Sequence, residues 1–217
     1  MLPCITIRAE TGYTIISRLY YPEHEYALTD MNKAAIRKQA SARRKVLSEE
    51  EVARLSKGLL EQFSRIDFST MHVVHLFLPI AEKREPDTFM LIRWLKMNYP
   101  DIQIIVPKAD FETSLMTHHV YRGEEDLHKN LFNILEPVAE EQFTGKIDLV
   151  VVPLLAFDRR GYRVGYGKGF YDRFLETHDT LKVGLSFFES VDIITDIHAN
   201  DVHLDLCITP DQTIYFK

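Results

Sequence analysis

Directly after an apolar run, residues 153–175 read Pro-Leu-Leu-Ala-Phe-Asp-Arg-Arg-Gly-Tyr-Arg-Val-Gly-Tyr-Gly-Lys-Gly-Phe-Tyr-Asp-Arg-Phe-Leu. Gly165, Gly167 and Gly169 fall at every second position and carry no side chain that would hold phosphate oxygens away from main-chain amides. If Gly169 opens a helix, the unsatisfied amides there favour an anion. Lys168 adds a full charge, worth roughly 4 kcal/mol at about 4 Å and an effective dielectric near 20, before desolvation. One lysine helps such a site without making it. Arg163 and Arg173 offer planar forks that match two phosphate oxygens. Asp172 is a carboxylate able to hold magnesium directly or through water, or simply to stabilise the first turn of a helix. Asp158 has a similar double reading, since it can close the turn before Gly161. These residue types in this order make an ATP-using enzyme the leading expectation; the bland reading is a flexible hairpin or helix entrance carrying ordinary surface charges.

The usual nucleotide fingerprints do not fit. A P-loop needs a glycine at 162 and a Ser or Thr at 169, where Tyr162 and Gly169 stand. The dinucleotide pattern started at Gly165 needs a glycine at 170, which is Phe170.

The surrounding elements must position this segment. From Met31 the spacing turns helical, with Ala35, Ile36, Ala40 and Leu47 on one side and Lys33, Arg37, Lys38, Arg43, Arg44 and Lys45 pointing elsewhere. Lys33 and Arg37 lie one helical turn apart and can face one ligand, although a solvated basic face is the plain alternative. Ser48 and Glu51 read as a capping box ahead of a second helix. Residues 73–78 form a strand candidate, Asp87 can cap a helix over 89–97, and 102–106 is a strand ended by Pro107. Residues 147–152 and 181–185 supply two more strands around a helix over 170–176. The expectation is a compact three-layer α/β fold with a central, mainly parallel sheet, helices on both faces and peripheral antiparallel strands from 115–121 and parts of 207–216.

The chain has 217 residues, 46% hydrophobic, with 32 acidic against 26 basic residues and a net charge of -6. That balance argues against a nucleic-acid partner held by long-range attraction. The apolar stretches are too short to cross a bilayer as a helix, and Cys4 and Cys207 are too few for a disulfide scaffold or a thiolate metal cluster. The start of the chain lacks the order of a secretory signal, so a cytoplasmic location is expected. Residues 1–30 have no steady period and read as an N-terminal extension; residues 31–217 read as one domain. No protein partner is indicated.

The segment resembles the signature of the 5-formyltetrahydrofolate cyclo-ligase (methenyltetrahydrofolate synthetase) family, carried by Leu155-Ala156-Phe157-Asp158, the run 161–173, and Leu204-Asp205 ahead of Ile208-Thr209. Similarity extends upstream through Lys33 and Arg37, Phe77-Leu78-Pro79, Glu85-Pro86-Asp87-Thr88, Val106-Pro107 and Ile134-Leu135-Glu136-Pro137. Leu154, Val164 and Phe170 depart from the pattern, as does the tail 197–205. The resemblance implies an enzyme that uses ATP and magnesium to convert 5-formyltetrahydrofolate into 5,10-methenyltetrahydrofolate. It implies an ATP site from Lys33, Arg37, Arg163, Gly165, Tyr166, Gly167, Lys168, Gly169, Phe170, Tyr171 and Arg173, with Lys168, Arg163 and Lys33 acting in catalysis. It further implies Asp172 and Asp205 as magnesium carboxylates, and Phe77, Leu78, Glu85 and Tyr171 as folate contacts.

Other classes stay in view: a phosphotransferase acting on another small molecule, a non-enzymatic ATP sensor, or an RNA-binding module built on the basic segment 37–45. The pairs His118-His119 and His198/His203 lack completing metal ligands and read as surface histidines. Trp94 reads as a core residue of its helix.

Overall fold

A computed structural model describes residues 31–217, so the N-terminal extension expected over residues 1–30 lies outside the described residues. A seven-stranded sheet forms the centre, in the order β11-β10-β9-β6-β1-β2-β3. Its strands are β1 (Val73–His75), β2 (Gln103–Asp110), β3 (Leu115–Val120), β6 (Leu149–Pro153), β9 (Leu181–Leu185), β10 (Leu206–Ile208) and β11 (Thr213–Tyr215). The five inner strands run parallel, and β3 and β11 close the two edges antiparallel. Two small antiparallel pairs stand apart: β4 (Leu127–Lys129) with β5 (Leu135–Pro137), and β7 (Ala156–Phe157) with β8 (Arg163–Val164).

The period-two pattern of the strands assigns the two faces. Val74, Leu76, Ile104, Val106, Leu149 and Val151 pack with Leu59 and Phe63 of α2 (Glu49–Phe63) and Leu91, Ile92 and Leu95 of α3 (Thr88–Asn98). Ile105, Val150, Val152 and Cys207 face the opposite side, where α4 (Phe170–Glu176) contributes Phe174 and Leu175. Helix α1 (Lys33–Lys45) lies against β7 and β8 through Ile36 and Ala40. The expected three-layer α/β architecture is therefore the observed one.

Local signals account for the helix starts. The Ser48 hydroxyl accepts from Glu51 N at 3.2 Å while the Glu51 carboxylate accepts from Ser48 N at 2.7 Å, which is the expected capping box. Asp87 caps α3 by accepting from Phe89 N at 3.0 Å. Trp94 packs with Phe63, Phe68 and Tyr99 in the core.

Three readings of the sequence are corrected. β2 continues through Pro107 to Asp110. Leu76 N donates to Ile105 O, so alternation puts the Pro107 nitrogen on the β1 side, where it cannot donate and where the β1 pairing has ended, while pairing with β3 carries β2 on to Asp110. Arg44 is buried, donating to the Leu154 carbonyl and, at 3.3 Å, to the Tyr166 hydroxyl. A guanidinium can serve buried oxygens that a hydropathy pattern assigns to solvent. His119 is buried as well, bonded to Thr117 Oγ1 and Glu141 O at 2.8 Å each, and His118 lies 4.1 Å from the Phe174 ring.

Burial depresses the pKa of His118 to about 4 and that of fully buried His75 well below the ordinary value. Both stay neutral in the folded protein while the unfolded chain takes up protons below about pH 6.5. The unfolded state thus binds more protons between about pH 6.5 and 4, and stability falls as pH falls through that window. Moving from pH 7 to pH 5 should cost on the order of 2 kcal/mol through His118 alone. Urea unfolding at the two pH values checks this, and His118→Phe should reduce the difference.

Candidate active site

The sheet order reverses around β1: the chain passes from β1 to β2 on one side, then to β6 and β9 on the other. A crevice at the carboxyl ends of parallel strands follows at such a point. The structure has one there, a cavity of about 670 Å³ reached by Phe77 and Leu78 beyond β1, Pro107 and Ala109 of β2, and Pro153 at the end of β6.

The glycine segment forms a second wall. Gly167 and Gly169 have φ of 86° and 69°, in the left-handed region that disfavours any side chain. Gly169 is the N-cap of α4 and provides no side-chain cap to its first turn. Arg37 binds this turn from α1, donating from Nε to Gly165 O at 2.9 Å, and a Cβ added at Gly167 would come within 3.3 Å of its guanidinium. Lys33, one turn earlier, also reaches the cavity, where its ammonium pairs with Asp201. Lys168 is exposed on the same wall. Arg37 and Lys168 have no carboxylate partner among the described residues.

Arg163 leaves β8 almost fully buried. One arm donates to Asp172 Oδ1 at 2.7 Å and the other to the Val202 carbonyl. Burial draws its pKa down, while Asp172 and then Asp201 support its charge. The turn behind it is held by Asp158, which is wholly buried and accepts from the amides of Arg160, Tyr162 and Ile194 and from the Arg160 side chain. Of the two readings of Asp158, the structure gives the turn-closing one.

On the apolar side, Glu85 is buried beside Phe77 and Leu78. Its Oε2 accepts from Ile80 N at 2.7 Å and its Oε1 from the Tyr166 hydroxyl at 2.5 Å. Burial raises its pKa, opposed by these two hydrogen bonds. The Tyr166 ring carries Lys83 Nζ 4.0 Å from its centroid. Tyr171 and Phe170, at the start of α4, complete this part of the wall. The Tyr171 hydroxyl is buried with no hydrogen-bond partner among the described residues, and burial, then the Glu85 charge, raises its pKa.

Two residues expected at the site stand outside the cavity lining. Arg173 donates to Ser114 O at 2.9 Å and to Lys168 O at 2.6 Å, which braces the glycine turn from its outer side. Asp205 accepts from Lys182 N at 2.7 Å and pairs with Lys182 Nζ at 3.0 Å. The carboxylate that the tail brings to the cavity is instead Asp201, with His198 beside it. Sequence reasoning passed over Asp201, which sits four residues before Asp205 in an irregular stretch. It also passed over Phe111 and Met116, and it named Glu136 only within the resembling segment 134–137 without a site role; all three line the cavity.

The donor chemistry fits magnesium carried on phosphates. Asp172 uses Oδ1 for both Arg163 and Val202 N, and Asp201 uses Oδ2 for both Lys33 and His198 N, which leaves one oxygen of each carboxylate without a partner among the described residues. Among the described residues no cluster of three or more acidic, histidine or cysteine side chains forms a closed cage. Magnesium bound with substrate phosphates takes one or two carboxylates and keeps water in its remaining positions.

A family model described as the 5-formyltetrahydrofolate cyclo-ligase family matches residues 29–210. A curated 5-formyltetrahydrofolate cyclo-ligase of Mycoplasma pneumoniae is 30% identical over 188 residues, covering 83% of this chain and all of that protein. The NMR structure of Aquifex aeolicus 5,10-methenyltetrahydrofolate synthetase superposes with a TM-score of 0.71 at 30% identity, over 85% of this chain and 93% of that one. A Mycoplasma pneumoniae 5,10-methenyltetrahydrofolate synthetase gives 0.65 at 27% identity, over 84% of this chain and all of that one.

Proposed function

Because the chain belongs to the 5-formyltetrahydrofolate cyclo-ligase family, we propose that it uses ATP to close 5-formyltetrahydrofolate into 5,10-methenyltetrahydrofolate within this cavity. One observation carries the reading: a single cavity joins a cationic wall with a glycine turn to an apolar wall with a buried carboxylate. The first suits a polyphosphate and the second a flat heterocycle with polar edges.

The formyl oxygen attacks the terminal phosphorus of ATP, the bond to the bridging oxygen breaks, and ADP leaves. Phosphorylation converts a poor leaving group into a good one. Nitrogen 10 then bonds to the formyl carbon, the carbon–oxygen bond breaks with its electron pair going to phosphate, and loss of the nitrogen 10 proton gives the methenyl bridge.

Such a transfer asks for alignment and for stabilisation of negative charge rather than for a side-chain nucleophile. Gly165, Gly167 and Gly169 let the phosphates approach main-chain amides, with Lys33, Arg37, Arg163 and Lys168 as counter-charge. Asp172, together with Asp201, would hold magnesium. Bound there, the metal supplies neutralisation of the phosphate oxygens. Phe77, Leu78 and Tyr171 flank the pterin or benzoyl ring, and Glu85 accepts from its polar edge. The Tyr171 ring packs on this side, and its hydroxyl has no hydrogen-bond partner among the described residues.

The test is to supply purified protein with 5-formyltetrahydrofolate and Mg-ATP and to follow methenyl product optically alongside ADP. Equal amounts of both products are expected. ADP formed without methenyl product would point to a phosphotransferase for another acceptor, and saturable ATP binding without turnover to a nucleotide sensor.

A further inference from the structure

Ring closure leaves one requirement that the groups placed so far do not meet. When nitrogen 10 adds to the formyl carbon it becomes a positively charged aryl amine, and its proton must leave for the amidine bridge to form. Asp172 and Asp201 sit on the phosphate side and are held by Arg163 and Lys33. Glu85 already has a donor on each oxygen.

Glu136 is the remaining carboxylate on the cavity wall. It lies in β5, buried at 6% exposure, next to Ile134 and Leu135 and near Pro107 and Ala109 of β2. A carboxylate in such apolar surroundings is rarely placed without a polar partner. Its partner is Asn130, whose Nδ2 donates to Glu136 Oε1 at 2.7 Å. Asn130 is itself fixed by the β4–β5 turn. Its Oδ1 accepts from Phe132 N at 2.8 Å and Ile134 N at 3.1 Å, and its own N–H donates to Ile134 O at 2.9 Å. Because Oδ1 is taken up by amides, the NH₂ group must face Glu136. An acceptor oriented by a third group, with Oε2 free of any partner among the described residues, is the arrangement of a positioned general base.

Resting on the cyclo-ligase reading, we propose that Glu136 takes the nitrogen 10 proton during ring closure and that Asn130 positions it. The N–H electron pair stays on nitrogen as the carbon–oxygen bond to phosphate breaks, and the proton ends on Glu136 Oε2. An aryl ammonium is acidic enough for a carboxylate to accept its proton, so no strongly basic group is needed.

Glu136→Gln keeps the volume and can still accept from Asn130 through its amide oxygen. Single-turnover formation of methenyl product should fall by about 10²-fold or more, with substrate KM changed only a few-fold. Glu136→Asp keeps a carboxylate and should be slowed less than Glu136→Gln, and it serves as the alternative probe if Glu136→Gln melts early. An unchanged single-turnover rate, or a higher KM alone, in an active-protein background would overturn the base and leave the overall activity standing. A wild-type protein that makes no methenyl product overturns the cyclo-ligase reading itself, and the base with it.

Discussion

Arg163→Ala should lower single-turnover methenyl formation by about 10³-fold, equivalent to about 4 kcal/mol of transition-state stabilisation. Arg163 bonds to both Asp172 and the Val202 carbonyl, so the substitution removes a charge and also frees a carboxylate. In the wild type Asp172 is paired with Arg163 and Asp201 with Lys33, while Arg37 and Lys168 have no carboxylate partner among the described residues. Without Arg163, Asp172 faces incoming phosphates uncompensated, and Arg37 and Lys168 are partly spent on it. Arg163→Lys should fall between the two, because an ammonium restores the charge but not the fork that reaches two oxygens. The readout is the rate at saturating Mg-ATP and folate. A loss below ten-fold in a protein with wild-type unfolding behaviour would make Arg163 a scaffold residue and remove it from the phosphate site.

The largest stability effect is expected at Asp158. Its carboxylate is fully buried and receives the Arg160, Tyr162 and Ile194 amides at 2.9, 3.1 and 3.2 Å, together with the Arg160 guanidinium at 2.7 Å. Asp158→Ala leaves those amides without their acceptor, the Ile194 amide in a fully buried position. Arg160, partly exposed, can turn to solvent, so most of the cost comes from the backbone donors. Each orphaned donor costs about 1–3 kcal/mol, and partial relaxation of the turn brings the total to about 3–5 kcal/mol. Urea unfolding measures it directly. A loss under 1 kcal/mol would mean that the turn from β7 to β8 re-forms without its carboxylate. Asp158→Asn should be milder for the amides held by the carbonyl oxygen, yet it still loses the ion pair.

Local periodicity carried the sheet and the helices. The capping box at Ser48, the Asp87 cap and the alternation in β2, β6 and β9 each follow from a few neighbouring residues, and parallel pairing follows from strands separated by helices. The glycine segment was legible because its unusual residue types are contiguous. Asp201 was not. It reaches the cavity by pairing with Lys33 across 168 positions, from an irregular tail in which no period marks one acid over another. Asp205, the acid chosen from the sequence, is drawn to Lys182 on the neighbouring strand instead. Arg44 and His119 were misplaced because their type suggests solvent, whereas burial was decided by acceptors on distant segments. Glu136 shows a related limit: its segment 134–137 carried the resemblance, but the asparagine that orients its carboxylate is set by a hairpin turn.

The cavity walls Phe77, Leu78 and Pro153 lie at the exits of β1 and β6, while the strands behind them are sealed between α2, α3 and α4. Phe77 and Leu78 belong to the core as well as to the cavity rim, whereas Pro153 and the glycine turn lie outside the core clusters. Selectivity is open to revision by changes in the exit segments, as the rim of a mould can be recut while its body stays whole.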